Sequence, residues 1–337
     1  MRLQILVPHY KETAEVITPL LDSIAIQQNV DFKEVGVIIC HDGEEAKDFC
    51  LTDSTTLVEP GKYCLLDNYP FEIKQVRQEH KGVSAARNSC LDAAKADYVM
   101  FCDADDMFFN NCGLWMIFRE IEIGFDTLLS VFVEETRRPD THDPEYINRE
   151  MDSTFVHGKV HRRRYLLENQ IRFNPALTIH EDSYFNILAQ NMSQNVKYCK
   201  TPFYLWKWRD ESVCRHDPKY ILKTYNNMLD SNDALVDEFL RRGMKDKAMF
   251  YSGMIVFDAY YLMNKPEWID QENKEYRDNT ERRFGEYFRK HKDLWNGISE
   301  TDKMAISNQV RTRSVMEGMR MESITIGEWL RHIEEDK

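Results

Sequence analysis

The sequence predicts an α/β fold, a mostly parallel sheet with helices on both faces, followed by a C-terminal helical region. Three observations carry this. Short β-branched runs alternate with helix-length segments up to Cys102, the pattern of repeated strand–helix–strand units. Several of those runs end in polar turns, Pro8-His9-Tyr10, His41-Asp42-Gly43 and Asp103-Ala104-Asp105-Asp106. From Pro218 onward apolar residues recur at helical spacing and strand signals become few.

Leu3 to Val7 is an apolar run stopped by Pro8, a buried strand. Thr13 is placed to cap a helix whose apolar positions are Val16, Ile17, Leu20, Leu21 and Ile24. Val35 to Cys40 is a second strand and Phe71 to Val76 a third; residues 44–70 between them show no period and are expected to be a loop or insertion. Gly82 opens a helix of small residues from Ser84 to Ala96, and Tyr98 to Cys102 is a fourth strand. Thr127 to Val133 is a further strand, residues 134–153 a polar loop, Ser183 to Gln190 a helix and Phe203 to Trp208 an aromatic strand. Tyr220, Leu222, Tyr225, Met228, Leu229, Leu235, Phe239 and Leu240 then mark helices. The expected division is a domain over 1–216, with halves of about 1–106 and 107–216, and a helical domain or extension over 217–337.

The chain has 337 residues, 42% hydrophobic and 30% charged, with a formal net charge of -13. This is the composition of an ordinary soluble protein. The acidity argues against a protein that coats nucleic acid, because such binding rests on basic charge against phosphates. No signal peptide and no run long enough to span a bilayer is evident. The eight cysteines show no CxxC pairing and several lie in apolar runs, so buried free thiols and a reducing, cytoplasmic location are expected.

Chemistry concentrates in three segments. The strand ending at Cys102 delivers Asp103, Asp105 and Asp106 into one turn. Carboxylates that close raise one another's pKa unless a cation neutralises them, and oxygen ligands suit Mg²⁺ or Mn²⁺. The alternative is an acidic turn capping the next helix. His180-Glu181-Asp182 precedes an amphipathic segment; the acids either complement a helix dipole or supply a general base. Gly82-Val83-Ser84-Ala85-Ala86-Arg87-Asn88 allows close backbone approach at a helix N-terminus, where anions are favoured, though tight helix packing also explains its alanines. Elsewhere, His161-Arg162-Arg163-Arg164 is the densest basic cluster, read first as a solvated helix face. Trp206 and Trp208 share one face of a strand, for core packing or for stacking on a sugar. Trp268, Tyr287 and Trp295 are taken as exposed aromatics of the C-terminal region.

In order and spacing, Pro8-His9-Tyr10, His41-Asp42-Gly43, Gly82 to Asn88, Asp103 to Asp106 and Glu181-Asp182 resemble glycosyltransferase family 2 over roughly residues 1–216. The resemblance implies a GT-A fold and inverting transfer from a nucleotide-diphosphate sugar, expected to be UDP-linked. It implies that Pro8 and Tyr10 approach base and ribose, and that Asp42 hydrogen-bonds the base. Arg87 and Asn88 lie beside the nucleotide, with Ala104 also among the donor contacts. Asp103 and Asp105 match the DxD acids that contact the ribose and hold Mn²⁺ or Mg²⁺, with His216 a further candidate ligand. Asp182 matches the catalytic base, with Glu181 beside it, and Ser212, Val213 and Arg215 match a loop closing over the diphosphate. His157-Gly158-Lys159 falls where family members approach the donor sugar. His9, Lys11 and the turn after Asp42 depart from the common pattern, which bears on donor identity more than on reaction type.

The expected activity is therefore a metal-dependent transfer of a hexosyl or pentosyl group to an acceptor hydroxyl of a surface glycan or polymer precursor. Alternatives are a protein acceptor, a hydroxylated DNA base as in phage enzymes, a nucleotidyltransferase, or a non-catalytic nucleotide-sugar binding module. The turn Pro8 to Glu12 fits the phosphate loop of a nucleotidyltransferase poorly. The C-terminal helices are expected to complete the acceptor site, to form a homodimer or to dock on a partner.

Overall fold

The computed structural model describes residues 1–43, 69–150, 152–210, 219–265, 268, 271–317 and 325–335. They divide into two compact units, Met1–Glu211 and Ser212–Lys337.

Among the described residues the first unit is built on nine strands: β1 (Leu3–His9), β2 (Val35–Asp42), β3 (Glu72–Gln78), β4 (Tyr98–Phe101), β5 (Met107–Phe108), β6 (Thr127–Arg137), β7 (Pro144–Arg149), β8 (Lys159–Arg162) and β9 (Val196–Trp206). Their order is β3-β2-β1-β4-β8-β6-β9-β5, with β7 on β6. β3, β2, β1 and β4 run parallel, in a register that sets His9 beside His41 and Leu6 beside Phe101. Every residue of β1 and β2 is buried, the condition of central strands covered on both faces. Parallel strands share one carboxyl edge, and that edge collects the turns after His9, Asp42 and Phe101.

The helices of this unit are α1 (Ala14–Ala25), α2 (Val83–Ala93), α3 (Gly113–Ile123), α4 (Arg163–Glu168) and α5 (Glu181–Met192). α2 packs on β1, β2 and β3, and its small residues allow the close approach. Thr13 does stand at the N-cap of α1, but its hydroxyl donates to Glu15 at 2.7 Å instead of capping the helix.

Beyond β4 the sheet is mixed. β8 is antiparallel to both β4 and β6, and only β6 and β9 are parallel there. The expected loop over 134–153 is corrected: β6 runs on to Arg137 and pairs with β7. All six side chains of β7 are exposed, so no alternation of apolar and polar residues marks it. The basic cluster is a strand end and a helix start. His161 is buried in β8, Arg162 pairs with Asp126, Arg163 donates to the Ala96 carbonyl at 2.9 Å and Arg164 pairs with Glu168 at 2.6 Å. Cys40, Cys90 and Cys102 are buried free thiols, and Cys112 and Cys199 are free and half-buried; Cys50, Cys64 and Cys214 lie outside the described residues.

The second unit contains α6 (Tyr220–Arg241), α7 (Lys245–Met263), α8 (Lys274–Gly297), α9 (Glu300–Met316) and α10 (Ile326–Glu335). Trp268, Tyr287 and Trp295 are buried rather than exposed. They belong to its aromatic core, where Trp268 meets Tyr225 edge-on at 5.5 Å and Trp329 stacks on Phe284 at 5.0 Å. Charged runs around each aromatic mask this in the sequence, because on a helix only every third or fourth residue faces inward. Asp233 of α6 takes Arg283, Lys290 and His291 of α8 within 2.9 Å. Among the described residues no helix is long and apolar enough to cross a membrane.

Candidate active site

A cleft of about 290 Å³ opens at the carboxyl edge of the parallel strands. Of the residues singled out in the sequence it is lined by Pro8, Tyr10, Asp42, Arg87, Asp103, Ala104 and Asp105, brought together from four turns. His9, Glu12, His80, Gly82, Val83 and Ala86 complete its wall.

One end is organised by Asp42, which is 3% exposed. Its carboxylate accepts from the Gln78 side chain at 2.7 Å and from the backbone amides of Lys81 and Gly82 at 2.8 Å each. Gly82 sits at φ +86, a conformation that side chains disfavour, and α2 starts immediately after it. Asp42 thus pins the turn that opens α2. His80 lies 2.9 Å from the same carboxylate and stacks on Tyr10 at 4.3 Å, giving the cleft a flat aromatic surface suited to a planar ring. Beneath it His9 and His41 share a hydrogen bond at 2.9 Å between their Nδ1 atoms. Burial pushes His41 down to about 4, so that ring is neutral.

The other end holds the charge. Arg87, 4% exposed, donates to Asp103 at 2.8 Å and to Glu181 at 2.7 Å. Burial alone would lower its pKa, but the two carboxylates outweigh that and hold the guanidinium charged. For Asp103, burial works upward and is outweighed by Arg87 and His157, leaving it well below the usual carboxylate range. Asp105 is raised by burial and by Asp103, with Arg209 at 2.8 Å opposing the rise. Asp106, 2% exposed, is pushed well up by burial and by both neighbouring acids, although it accepts from the Tyr204 hydroxyl and from the Lys207 amide at 3.0 Å.

Glu181 and Asp182 form the first turn of α5, entered through His180 at φ 64. Asp182 accepts from the Ser183 amide at 2.8 Å. Burial, reinforced by Glu181, pushes its carboxyl up to about 7 against the pull of Arg87. Asp182 is half-buried, so the group remains within reach of an incoming molecule. Asn88 is not part of the cleft wall. Its side-chain amide bonds both the carbonyl and the N–H of Phe173, at 2.9 and 3.1 Å, and so ties α2 to the segment leading to α5. Ser212, Val213, Arg215 and His216 lie outside the described residues.

The structure adds His80, Arg209 and Tyr204 to the site, and sets His157, expected from the resemblance near the donor sugar, beside Asp103 and Asp106. His80 and Arg209 carried a usable signal, each being a basic residue type just after a strand of the sheet. Tyr204 lies mid-strand and had none. His157 is held face to face between Phe155 and Tyr204, at 5.2 and 4.9 Å. Gly158 beside it has φ +63, and a Cβ there would meet the Ser130 hydroxyl at 2.5 Å.

The aromatic shelf and the carboxylate cluster thus share one cleft at the carboxyl edge of the parallel strands, the place where open α/β sheets receive their ligands. Residues 4–142 match the family model "Glycosyl transferase family 2". Among curated proteins the chain is 22% identical over 245 residues to EpsH of Bacillus subtilis (strain 168), assigned to the glycosyltransferases; the match covers 67% of each chain. It is 25% identical over 238 residues to the glycosyltransferase GlyA of Streptococcus pneumoniae serotype 4, covering 64% of this chain and 32% of GlyA. In structure it is similar to S. aureus TarS 1–349, at a TM-score of 0.62 and 17% identity, covering 99% of this chain and 90% of that one. The same TarS fragment in complex with UDP-GlcNAc gives a TM-score of 0.60, with 17% identity and coverage of 99% and 91%. The chain spans 55% of a longer TarS structure and about a third of GlyA. The family match thus covers residues 4–142, and the fold is an α/β fold of the GT-A type, similar to that of TarS, followed by C-terminal helices.

Proposed function

We propose that this protein is a metal-dependent, inverting glycosyltransferase that moves a sugar from a UDP-linked donor to an acceptor hydroxyl on a surface glycan or polymer precursor. The observation that carries the reading is the single cleft in which the Tyr10–His80 shelf and the Asp103–Asp105 turn face the same space. The shelf suits a base and the acidic turn suits a cation-bound diphosphate. The similarity to TarS, which is known in complex with UDP-GlcNAc, supports the choice of nucleotide.

The acidic turn fits a divalent cation. Asp105 is held above its ordinary range by burial and by the charge of Asp103, and Asp106 by burial and by the charges of Asp105 and Asp103, a repulsion that a hard cation relieves. Asp103 and Asp105 would hold it, with His216 the nitrogen ligand expected from the sequence. Bound there, Mn²⁺ or Mg²⁺ supplies positive charge against the departing diphosphate. Tyr10 and His80 hold the base, while Ser212 and Arg215 are assigned to the diphosphate. Arg87 fixes Asp103 and Glu181 in place. Asp182 takes the proton from the acceptor hydroxyl as that oxygen attacks the anomeric carbon and the bond to the diphosphate oxygen breaks. Direct displacement inverts the configuration. The internal partners of Arg162, Arg163 and Arg164 give the DNA-base reading no support.

The test is a screen of nucleotide sugars for thermal stabilisation and slow donor hydrolysis, with and without Mn²⁺, using wild type and Asp105→Ala. A donor at about a hundred times its dissociation constant stabilises the folded state by roughly 2.7 kcal/mol. A UDP-sugar is expected to raise the melting temperature of the wild type only with Mn²⁺, and the variant should lose the effect. If no donor shifts the melting curve at any Mn²⁺ concentration, the reading fails.

For the C-terminal unit we propose self-association, supported by the exposed Phe250 of α7 and Met304 and Met316 of α9. Sedimentation at micromolar concentration is expected to give a dimer; a monomer there sinks the proposal.

A further inference from the structure

We propose that His157 supplies a nitrogen ligand to the divalent cation of this site, together with Asp103 and Asp106. The inference rests on the metal-dependent reading above and deepens it, with Asp106 and His157 in the places that reading gave to Asp105 and His216. The ligand atoms of Asp103, Asp106 and His157 all lie within 4.8 Å of one another. His157 Nε2 stands 3.8 Å from Asp103 Oδ2 and 3.7 Å from Asp106 Oδ2. Both separations are too long for a hydrogen bond, whose N–O distance is about 2.7–3.2 Å. They match side chains that share one ion, since ligands each ~2.1 Å from a metal stand ~3–4 Å apart.

The imidazole itself points to a ligand. It is 4% exposed, and a buried polar ring normally finds a hydrogen-bond partner. His157 makes none among the described residues, and its Nδ1 is enclosed without a partner. Its plane is fixed by the stacked Phe155 and Tyr204, and the edge of Phe132 stands 5.1 Å away. These rings leave little freedom to rotate, so Nε2 stays aimed between the two carboxylates. The opposite side of each acid is already tied: Asp103 Oδ1 to Arg87, Asp106 Oδ1 to the Lys207 amide. Asp106 Oδ2 also accepts from the Tyr204 hydroxyl, which leaves Asp103 Oδ2, the second lone pair of Asp106 Oδ2 and one nitrogen within 4.8 Å of one another. One neutral nitrogen beside two carboxylates suits Mn²⁺ better than Mg²⁺, which prefers an all-oxygen shell.

The experiment is Mn²⁺ titration of the full chain without nucleotide, read by electron paramagnetic resonance with detection of ¹⁴N modulation from a coordinated imidazole. The variants are His157→Phe, whose ring fills the same aromatic slot, and His216→Gln; melting curves establish that each is folded. Wild type and His216→Gln are expected to show the nitrogen signal. His157→Phe should lose it and bind Mn²⁺ at least about 10-fold more weakly, the lower end of what loss of even an outer-shell partner costs. A nitrogen signal that persists in His157→Phe and disappears in His216→Gln overturns the assignment while leaving metal dependence intact. So does bound Mn²⁺ with no nitrogen signal in the wild type. Absence of Mn²⁺ binding in every form overturns this inference and the metal-dependent reading together.

Discussion

Replacing Arg87 with alanine is expected to lower the melting temperature of the protein by roughly 10 °C and to abolish donor-dependent stabilisation. Arg87 is almost fully buried and bridges Asp103 and Glu181 with two separate nitrogens. Its removal leaves two carboxylates facing each other with no cation between them. Breaking a buried pair from one side costs about 3–5 kcal/mol, and 1 kcal/mol is worth about 2–4 °C in a domain of 150–250 residues. Arg87→Lys should recover little, because a single ammonium does not reproduce a planar fork between two acids. The pH dependence carries a sign. Asp103 is held below its unfolded value, near 3.9, with Arg87 the main force lowering it. Its share of the stability is therefore present above about pH 4 and is lost as pH falls toward the folded pKa. The gap between wild type and Arg87→Ala should stay wide at neutral pH and narrow only in strong acid. Calorimetry across pH measures this, and a variant melting within 2 °C of wild type at pH 7 would show that the bridge does not hold the site together.

The parts of this architecture that the sequence displays are those in which one local signal decides the structure. β1 and β2 are mainly apolar because they are covered on both faces, and the turns after His9 and Asp42 mark where they stop. The acids after β4 follow directly from the strand that delivers them. Reading failed where the determining contact is remote in sequence. β7 has no buried side and so no pattern, and it exists because its backbone completes the edge of β6. β8 carries Lys159 and His161 inside the sheet, residues that local composition assigns to solvent. Asn88 looks like a nucleotide contact by its place beside Arg87, but the backbone of Phe173, 85 positions away, occupies both ends of its amide. His157 gives no sign in the chain of its place over Asp103 and Asp106, since the aromatic slot that holds it is assembled from β6, β9 and the segment before β8. Within the second unit the same limit applies: Trp268 stands in a stretch rich in charge, yet it is buried against Tyr225 of α6.

Asp182→Asn separates catalysis from folding and so tests the assigned base without ambiguity. The variant should bind the UDP-sugar with nearly unchanged affinity, because Asp182 is not part of the donor cleft wall. Turnover should fall by about 10²–10⁴-fold, the usual contribution of a positioned general base. In the wild type, kcat/KM should rise with pH through about 7, since the base works only when deprotonated and burial holds this carboxyl at about that value. The residual activity of the variant should lack that limb. Stability moves the other way. A carboxyl near 3.9 unfolded and raised to about 7 in the folded protein favours the protonated native state. Its ionisation therefore costs stability above pH 7, and the cost fades as pH falls toward 4. Asparagine carries no such charge, so at pH 8 the variant should melt at or above the wild-type temperature, by about 2–4 °C for each 1 kcal/mol relieved, and the difference should shrink at pH 4–5. A loss of turnover accompanied by a lower melting temperature at pH 8 would mean that Asp182 supports the start of α5 rather than the proton transfer.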